Sequence, residues 1–255
     1  MATVRSRHFS LTDRATGQYE PVVRQPLRRD LAVHHWHRER PSAVAGIRLT
    51  SRHVGTVPVM LAQMFRDALG LTVAVETGTY MGEGAQALSS VFPRVWSIEL
   101  SEELYSSAVG RLAAPGLNFI HGSSVEVLPN LMTDVGEPAL FWLDGHYSGH
   151  GTAGVDLECP LLDEIAAIDA SAVGARSALL IDDARLFLGP PPPPHKPDHW
   201  PTFMVIADLL RSDHLRYVTL FEDMIIAVPP DARTIVERYY LLKSYPEVVP
   251  LSVEI

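Results

Sequence analysis

An α/β fold is predicted by three features of this 255-residue sequence. Short apolar runs alternate with helix-periodic segments between residues 57 and 210. Two further strand-like runs follow, separated only by Glu222-Asp223. Several of the apolar runs end on acids or on a glycine-rich turn. Five strands alternating with helices imply a parallel, doubly wound sheet with right-handed crossovers. A two-residue link allows only an antiparallel hairpin. The expectation is a seven-stranded sheet, mostly parallel, closed by a C-terminal antiparallel hairpin and covered by helices on both faces.

Each element has its own local reason. Residues 57–69 read as an amphipathic helix, with Val57, Leu61, Met64 and Leu69 near one face and Arg66 and Asp67 turned away. The run 73–76 is apolar and β-branched, the mark of a buried parallel strand, and it ends on Glu76. Gly78, Gly82 and Gly84 follow, and then a helix over 85–91. Strand, glycine-rich turn and helix form either an ordinary tight turn or a ligand cradle beyond the carboxyl end of a strand. Next come a strand over 95–100 and a helix over 102–112, with Ser101 as N-cap and Glu102 and Glu103 in its first turn. A strand over 118–121 precedes a helix over 125–131, capped by Ser123 or Ser124. A strand over 140–143, a helix over 160–168 and a strand over 178–181 complete the alternation. After a helix over 202–210, the runs 216–221 and 224–228 make the hairpin. A last helix over 231–243 and a tail or edge strand over 248–255 end the chain. The segment GPPPPPHKPDHWP, 189–201, favours polyproline II. It reads either as a spacer or docking segment, or as a lid, because it leaves the same sheet edge as the glycine turn.

Composition bounds the function. Residues 1–55 read as a basic N-terminal arm and residues 56–255 as the folded domain. Residues 1–52 hold ten Arg and four acids, about +6, so the remainder of a chain of net charge −9 carries about −15. A body that acidic repels phosphate and disfavours nucleic acid. The arm is expected to lie on its own acidic body or on a neighbouring subunit, which makes a homodimer the natural guess. His34, His35 and His37 in that arm have no carboxylate or Cys at useful spacing and read as a surface or interface patch. Cys159 is the single cysteine, which excludes an intramolecular disulfide and a Cys zinc site. There is no secretory h-region and no apolar stretch near 18 residues, so a cytoplasmic protein without a membrane anchor is expected.

The chemistry-bearing residues gather at strand ends. Glu99 ends the second strand, about 20 residues past the glycine turn, where an acid hydrogen-bonds the ribose of a bound nucleoside. Ser123 and Ser124 end the third strand, where they meet an adenine edge or simply cap the next helix. Asp144 ends the fourth strand in FWLDGHYSGH, and Asp182 and Asp183 end the fifth in LLIDDARLF. Three carboxylates converging on one crevice repel unless protonated or bridged by a cation, and hard oxygen donors suit Mg²⁺. His146 lies two residues past Asp144, with His150 on the same loop and His121 at the end of the third strand. A neutral imidazole there accepts a proton, ligates a metal or orients a substrate.

From about residue 57 to 228 the chain resembles the class I S-adenosylmethionine-dependent methyltransferases. The resemblance is carried by VETGTYMGEG, SIELSEELYSSA, FIHGSSVEVLPNL, FWLDGHYSGHGTAG and ALLIDDARLF, in family order and spacing. The family sheet is Rossmann-like and ends in such a hairpin. Within it, Asp144 and the acid pair at the fifth strand resemble the divalent-metal O-methyltransferases of the catechol and macrolide- or aminocoumarin-sugar types. The resemblance implies that Glu76, Gly78, Thr79, Tyr80 and Gly82 hold the methionine part of S-adenosylmethionine. It places Glu99 on the ribose and Ser123 or Ser124 by the adenine, and gives Mg²⁺ to Asp144, Asp182 and Asp183. The catechol type has a lysine base after the fourth-strand Asp; here the run is Asp-Gly-His-Tyr, which moves the proton transfer to His146 with Asp144 beside it. The Asp-Asp pair matches the sugar-modifying type. The expected function is methyl transfer to a hydroxyl of a small, natural-product or sugar-like acceptor with Mg²⁺ assistance. The alternatives are a metal-independent N-methyltransferase and a non-catalytic nucleotide-binding module.

Overall fold

The computed structural model describes residues 56–149, 152–154 and 156–247. The arm expected over 1–55, His150 and the tail expected over 248–255 lie outside the described residues. Seven strands form one sheet: β1 (Val73–Thr77), β2 (Arg94–Glu99), β3 (Leu117–His121), β4 (Ala139–Leu143), β5 (Ala178–Ile181), β6 (Tyr217–Phe221) and β7 (Met224–Val228). Their order is β3-β2-β1-β4-β5-β7-β6. The first five run parallel, and β7 is antiparallel to both β5 and β6. The expected sheet is therefore the observed one, with β7 inserted between β5 and β6.

The central strands are buried along their whole length because helices cover both faces. The helices are α1 (Val59–Leu69), α2 (Glu83–Ser89), α3 (Glu102–Arg111), α4 (Ser124–Val135), α5 (Leu161–Asp169), α6 (Phe203–Ser212) and α7 (Arg233–Ser244). Alternate strand residues serve the two layers, as the two-residue period of a strand requires. Val73, Val75, Phe141, Leu143, Leu179 and Ile181 pack on α4, α5 and α6. Ala74, Leu140, Trp142 and Leu180 face the other way, onto α1, α2 and α7.

Some boundaries differ from expectation for local reasons. α2 starts at Glu83 and takes Gly84 into its first turn. α4 runs through Pro129 to Val135 before the left-handed Gly136 ends it. The apolar face of Leu128, Leu131, Met132 and Val135 is buried, and that packing outweighs the hydrogen bond Pro129 cannot make. Ser101 caps α3 as expected, its Oγ accepting from Leu104 N at 3.4 Å. The serine cap of α4 does not form: Ser123 sits at the N-cap without a side-chain bond, and Ser124 is already helical and buried. The last helix begins at Arg233, after a 3-10 turn over Pro230–Ala232.

Just before β6, Arg216 is fully buried and clamps the end of α5. Its guanidinium donates to both oxygens of Asp169, at 2.6 and 3.0 Å, and to Gly174 O at 2.8 Å. No helix among the described residues is long and apolar enough to cross a membrane.

Candidate active site

Strand order reverses between β1 and β4, because β1 pairs with β2 on one side and β4 on the other. Loops leaving the carboxyl ends of such strands part and open a crevice. The turn after β1 is pinned there by Gly78 N and Thr79 N, both donating to Ile98 O at 2.9 and 3.3 Å. Gly78 has φ +83°, and a Cβ on it would stand 2.2 Å from the Asp144 carbonyl oxygen. Only glycine lets the two loops approach this closely. The crevice is a cavity of about 1110 Å³.

Glu76, Gly78, Thr79, Tyr80, Glu99, Ser123 and Ser124 all line this cavity, and so do Asp144, His146, Asp182 and Asp183. Two residues singled out in the sequence lie off the cavity wall. Gly82 does not line the cavity: it closes the turn, its amide donating to Thr79 O at 2.7 Å, and its left-handed backbone packs on Leu112. His121 also lies off the cavity, with its exposed ring stacked 5.3 Å from that of Tyr105.

One end of the cavity is shaped by two glutamates. Glu99 draws the turn inward: its Oε2 accepts from Tyr80 N and its Oε1 from Ser101 N, each at 2.8 Å. The Tyr80 backbone is left-handed, φ +46°, and its ring is exposed at the rim. Glu76 is buried, and its Oε2 accepts from the Ser97 hydroxyl, which in turn pairs with the Thr79 hydroxyl. A Cβ on Gly84 would stand 2.0 Å from Glu76 Oε1, so α2 can begin over this carboxyl only with glycine there. Burial pushes the Glu76 carboxyl up to about 8, with Ser97 opposing and Asp144 and Glu99 adding to the shift.

That shift has a measurable consequence. Between the ordinary glutamate range and about pH 8, native Glu76 holds a proton that the unfolded chain has released, so stability falls as pH rises through this window. For one such group the slope is about 1.4 kcal/mol per pH unit. Thermal unfolding from pH 5 to 9 is expected to show a falling Tm, and the fall is expected to be shallower in Glu76→Gln.

The other end holds the carboxylates. Burial pushes Asp144 up to about 8, His146 offsetting and Asp182, Asp183 and Glu164 adding. Burial, with repulsion from Asp183, pushes Asp182 up to about 6. His146 stands between them. Its Nε2 pairs with Asp183 Oδ2 at 2.9 Å, while its Nδ1 is 3.5 Å from Asp144 Oδ1, beyond normal hydrogen-bond reach. Burial disfavours the imidazolium, but the Asp183 bond and the charges of Asp144, Asp183 and Asp182 outweigh it, and the His146 pKa is raised. Asp183 is held below the usual carboxylate range: burial opposes this, and the contacts with His146 and Arg185 prevail. The oxygen donors have the chemistry of a Mg²⁺ site. Among the described residues, however, no three His, Cys, Asp or Glu side chains are gathered as a metal cluster.

Sequence reasoning missed several participants. Arg185 bridges Asp183 Oδ1, at 2.6 Å, to the Asp223 carboxylate, and its backbone N donates to Asp223 Oδ1 at 2.9 Å. Arg185, Glu222 and Asp223 all line the cavity, so the hairpin turn forms part of its wall. The Asp-Asp-Ala-Arg run was a visible signal for Arg185; nothing local placed the turn there. Ser97, on β2, was hidden within an apolar run. Glu164 lies buried beneath Gly145, where a Cβ would stand 2.9 Å from its Oε1.

No protein-family model matches the sequence, and a search of curated proteins finds no match. Several solved structures are similar to part of this chain. The Podospora anserina methyltransferase PaMTH1, bound to S-adenosylhomocysteine, is 17% identical, with 66% of this chain and 76% of that chain covered and a TM-score of 0.48. The O-methyltransferase TomG of Streptomyces achromogenes, involved in tomaymycin synthesis and bound to S-adenosylmethionine, is 17% identical, with 66% and 77% covered and a TM-score of 0.47. An O-methyltransferase from Bacillus cereus in complex with S-adenosylhomocysteine is 14% identical, with 68% and 80% covered and a TM-score of 0.47.

Proposed function

We propose that this protein is an enzyme that transfers a methyl group from S-adenosylmethionine to a hydroxyl of a small-molecule acceptor. One observation carries the reading. A single cavity joins the two glutamates at the ends of β1 and β2 to the carboxylate–imidazole group at the ends of β4 and β5. The first pair suits a nucleoside with a cationic tail. Glu99 keeps lone pairs for the ribose hydroxyls, Glu76 faces the methionine end, and Ser123 and Ser124 border the adenine. The second group suits an acceptor that must lose a proton.

His146 is the base. Asp183 holds Nε2, which leaves Nδ1 on the side of Asp144 to take the proton of the acceptor hydroxyl. The acceptor oxygen then attacks the methyl carbon in line with the departing sulfur, and the cavity supplies the alignment. Asp144, Asp182 and Asp183 would hold Mg²⁺, whose Lewis acidity would lower the pKa of that hydroxyl. A natural-product or sugar-like acceptor is in keeping with the polar, acidic wall.

Calorimetry with S-adenosylhomocysteine tests the cofactor half, and the absence of binding would sink the whole reading. Transfer of labelled methyl to a panel of polyhydroxylated acceptors tests the rest. Asp182→Ala and chelation are each expected to abolish turnover while S-adenosylhomocysteine still binds. A second, metal-independent reading, with an amine among its acceptors, is favoured by the imidazole wedged between Asp144 and Asp183. Full turnover after exhaustive chelation selects it.

A further inference from the structure

The proline loop, 189–201, leaves β5 beside the site but places no residue on the cavity wall. In this structure it does not cover the cavity. It lies behind the loop that follows β4, whose Ser148, Thr152, Gly154 and Asp156 do line the cavity. Glu158 joins the two segments. Its side chain is 1% exposed, and its Oε2 accepts from Trp200 Nε1 at 2.9 Å and from Lys196 N at 3.0 Å, with His195 Nδ1 at 3.4 Å. Its backbone closes the wall loop on itself: its carbonyl accepts from Tyr147 N at 2.7 Å, and its amide donates to His199 Nδ1 at 3.4 Å. Trp200, anchored in this way, sets its ring edge-on to His146 with centroids 5.4 Å apart and packs on Phe187 at 5.6 Å.

We infer that Glu158 is a positioning residue: through Trp200 it fixes the His146 ring against Asp183, and through Tyr147 it fixes the loop that walls the acceptor. This rests on the methyltransferase reading for its functional meaning. A buried carboxylate costs free energy unless donors satisfy it, and an apolar side chain would fill the same space without that cost. A carboxylate at the junction of the two segments is explained by the orientation it imposes. Glu158 itself does not reach the cavity, so it acts only through the residues it holds.

The test reads His146 directly and needs no acceptor. In long-range ¹H–¹⁵N spectra of the full-length protein, the His146 ring signals are assigned by their loss in His146→Gln. Glu158→Ala leaves the Trp200 indole and the Lys196 amide without their acceptor. It is expected to shift and broaden the His146 signals while S-adenosylhomocysteine affinity, measured by calorimetry, stays at the wild-type value. Glu158→Gln keeps an acceptor oxygen and is expected to restore sharp signals. If Glu158→Ala does not fold, Trp200→Phe, which keeps a ring but lacks the N–H, is expected to give the same broadening. His146 signals that stay sharp and unshifted in a folded Glu158→Ala, or sharp in Trp200→Phe where that variant must serve, overturn the inference and leave Glu158 as a structural clamp alone. Failure of wild-type protein to bind S-adenosylhomocysteine overturns the methyltransferase reading instead, whatever the His146 signals show.

Discussion

Replacing His146 with alanine is expected to slow methyl transfer by about 100- to 10,000-fold, the range for loss of a positioned general base. S-adenosylhomocysteine affinity is expected to stay at the wild-type value, because His146 sits at the carboxylate end of the cavity and the proposed cofactor contacts are with Glu76, Tyr80 and Glu99. The chemistry behind the size is specific. His146 is buried, its Nε2 is occupied by Asp183, and its basicity is raised by three surrounding carboxylates. Removing it leaves Asp144 and Asp183 facing each other without a cation between them, so a second consequence is a further rise in the Asp144 pKa and loss of the contact that helps hold Asp183 low. Asp183→Asn separates the two effects: it keeps a hydrogen-bonding partner for the ring but withdraws the charge. It is expected to lower the rate less than His146→Ala and, by lowering the His146 pKa, to shift the acidic limb of the pH–rate profile to lower pH. Wild-type turnover by His146→Ala would remove the residue from the mechanism.

Replacing Arg216 with alanine is expected to cost about 3–5 kcal/mol of stability, read as a lower urea midpoint at constant m-value. The cost comes from what remains. Asp169 is buried, and with the guanidinium gone its carboxylate retains only the neighbourhood of His214, whose Nε2 is 3.8 Å away. Domains of this kind have about 5–15 kcal/mol in total, so the loss is a large share. Lysine is expected to recover little, since a single ammonium cannot reproduce the bidentate pair together with the bond to Gly174 O. Replacing Arg216 and Asp169 together by apolar residues of similar volume is expected to be far less damaging than either change alone, because no buried charge is then stranded.

The sheet was legible because its signals are local. The runs 178–181 and 224–228 coincide with β5 and β7, each bounded by polar residues or proline that cannot continue a buried strand. The two-residue link at Glu222-Asp223 announced an antiparallel pair. It carried no information that the second strand of that pair would lie against β5. Asp144, Asp182 and Asp183 were legible as strand-end acids, and the parallel topology brings such ends together. Their partners were not. Arg216 meets Asp169, and Glu158 meets Trp200, across more than forty residues of chain, and no periodicity encodes such meetings. Gly82 and His121 fit the spacing but not the cavity: the first is needed for the shape of the turn, and the second stacks on Tyr105. By sequence alone the proline segment suits a spacer or a lid; its place behind the wall follows from the buried acid at Glu158, which no local pattern marks.

The position of β7 between β5 and β6 sets an order of events during synthesis. β6 leaves the ribosome first, yet it has no neighbour in the sheet until Met224–Val228 has followed it. The two strands therefore enter together, against a β5 that until then is an open edge. Their turn brings Asp223, whose carbonyl accepts from Ala184 N at 2.8 Å and whose carboxylate holds Arg185. The glycine turn and both glutamates precede the hairpin in the chain, whereas the wall opposite them is finished only when the hairpin turn arrives. A chain cut before the hairpin thus lacks the Arg185–Asp223 side of the cavity, whatever the state of the glycine turn.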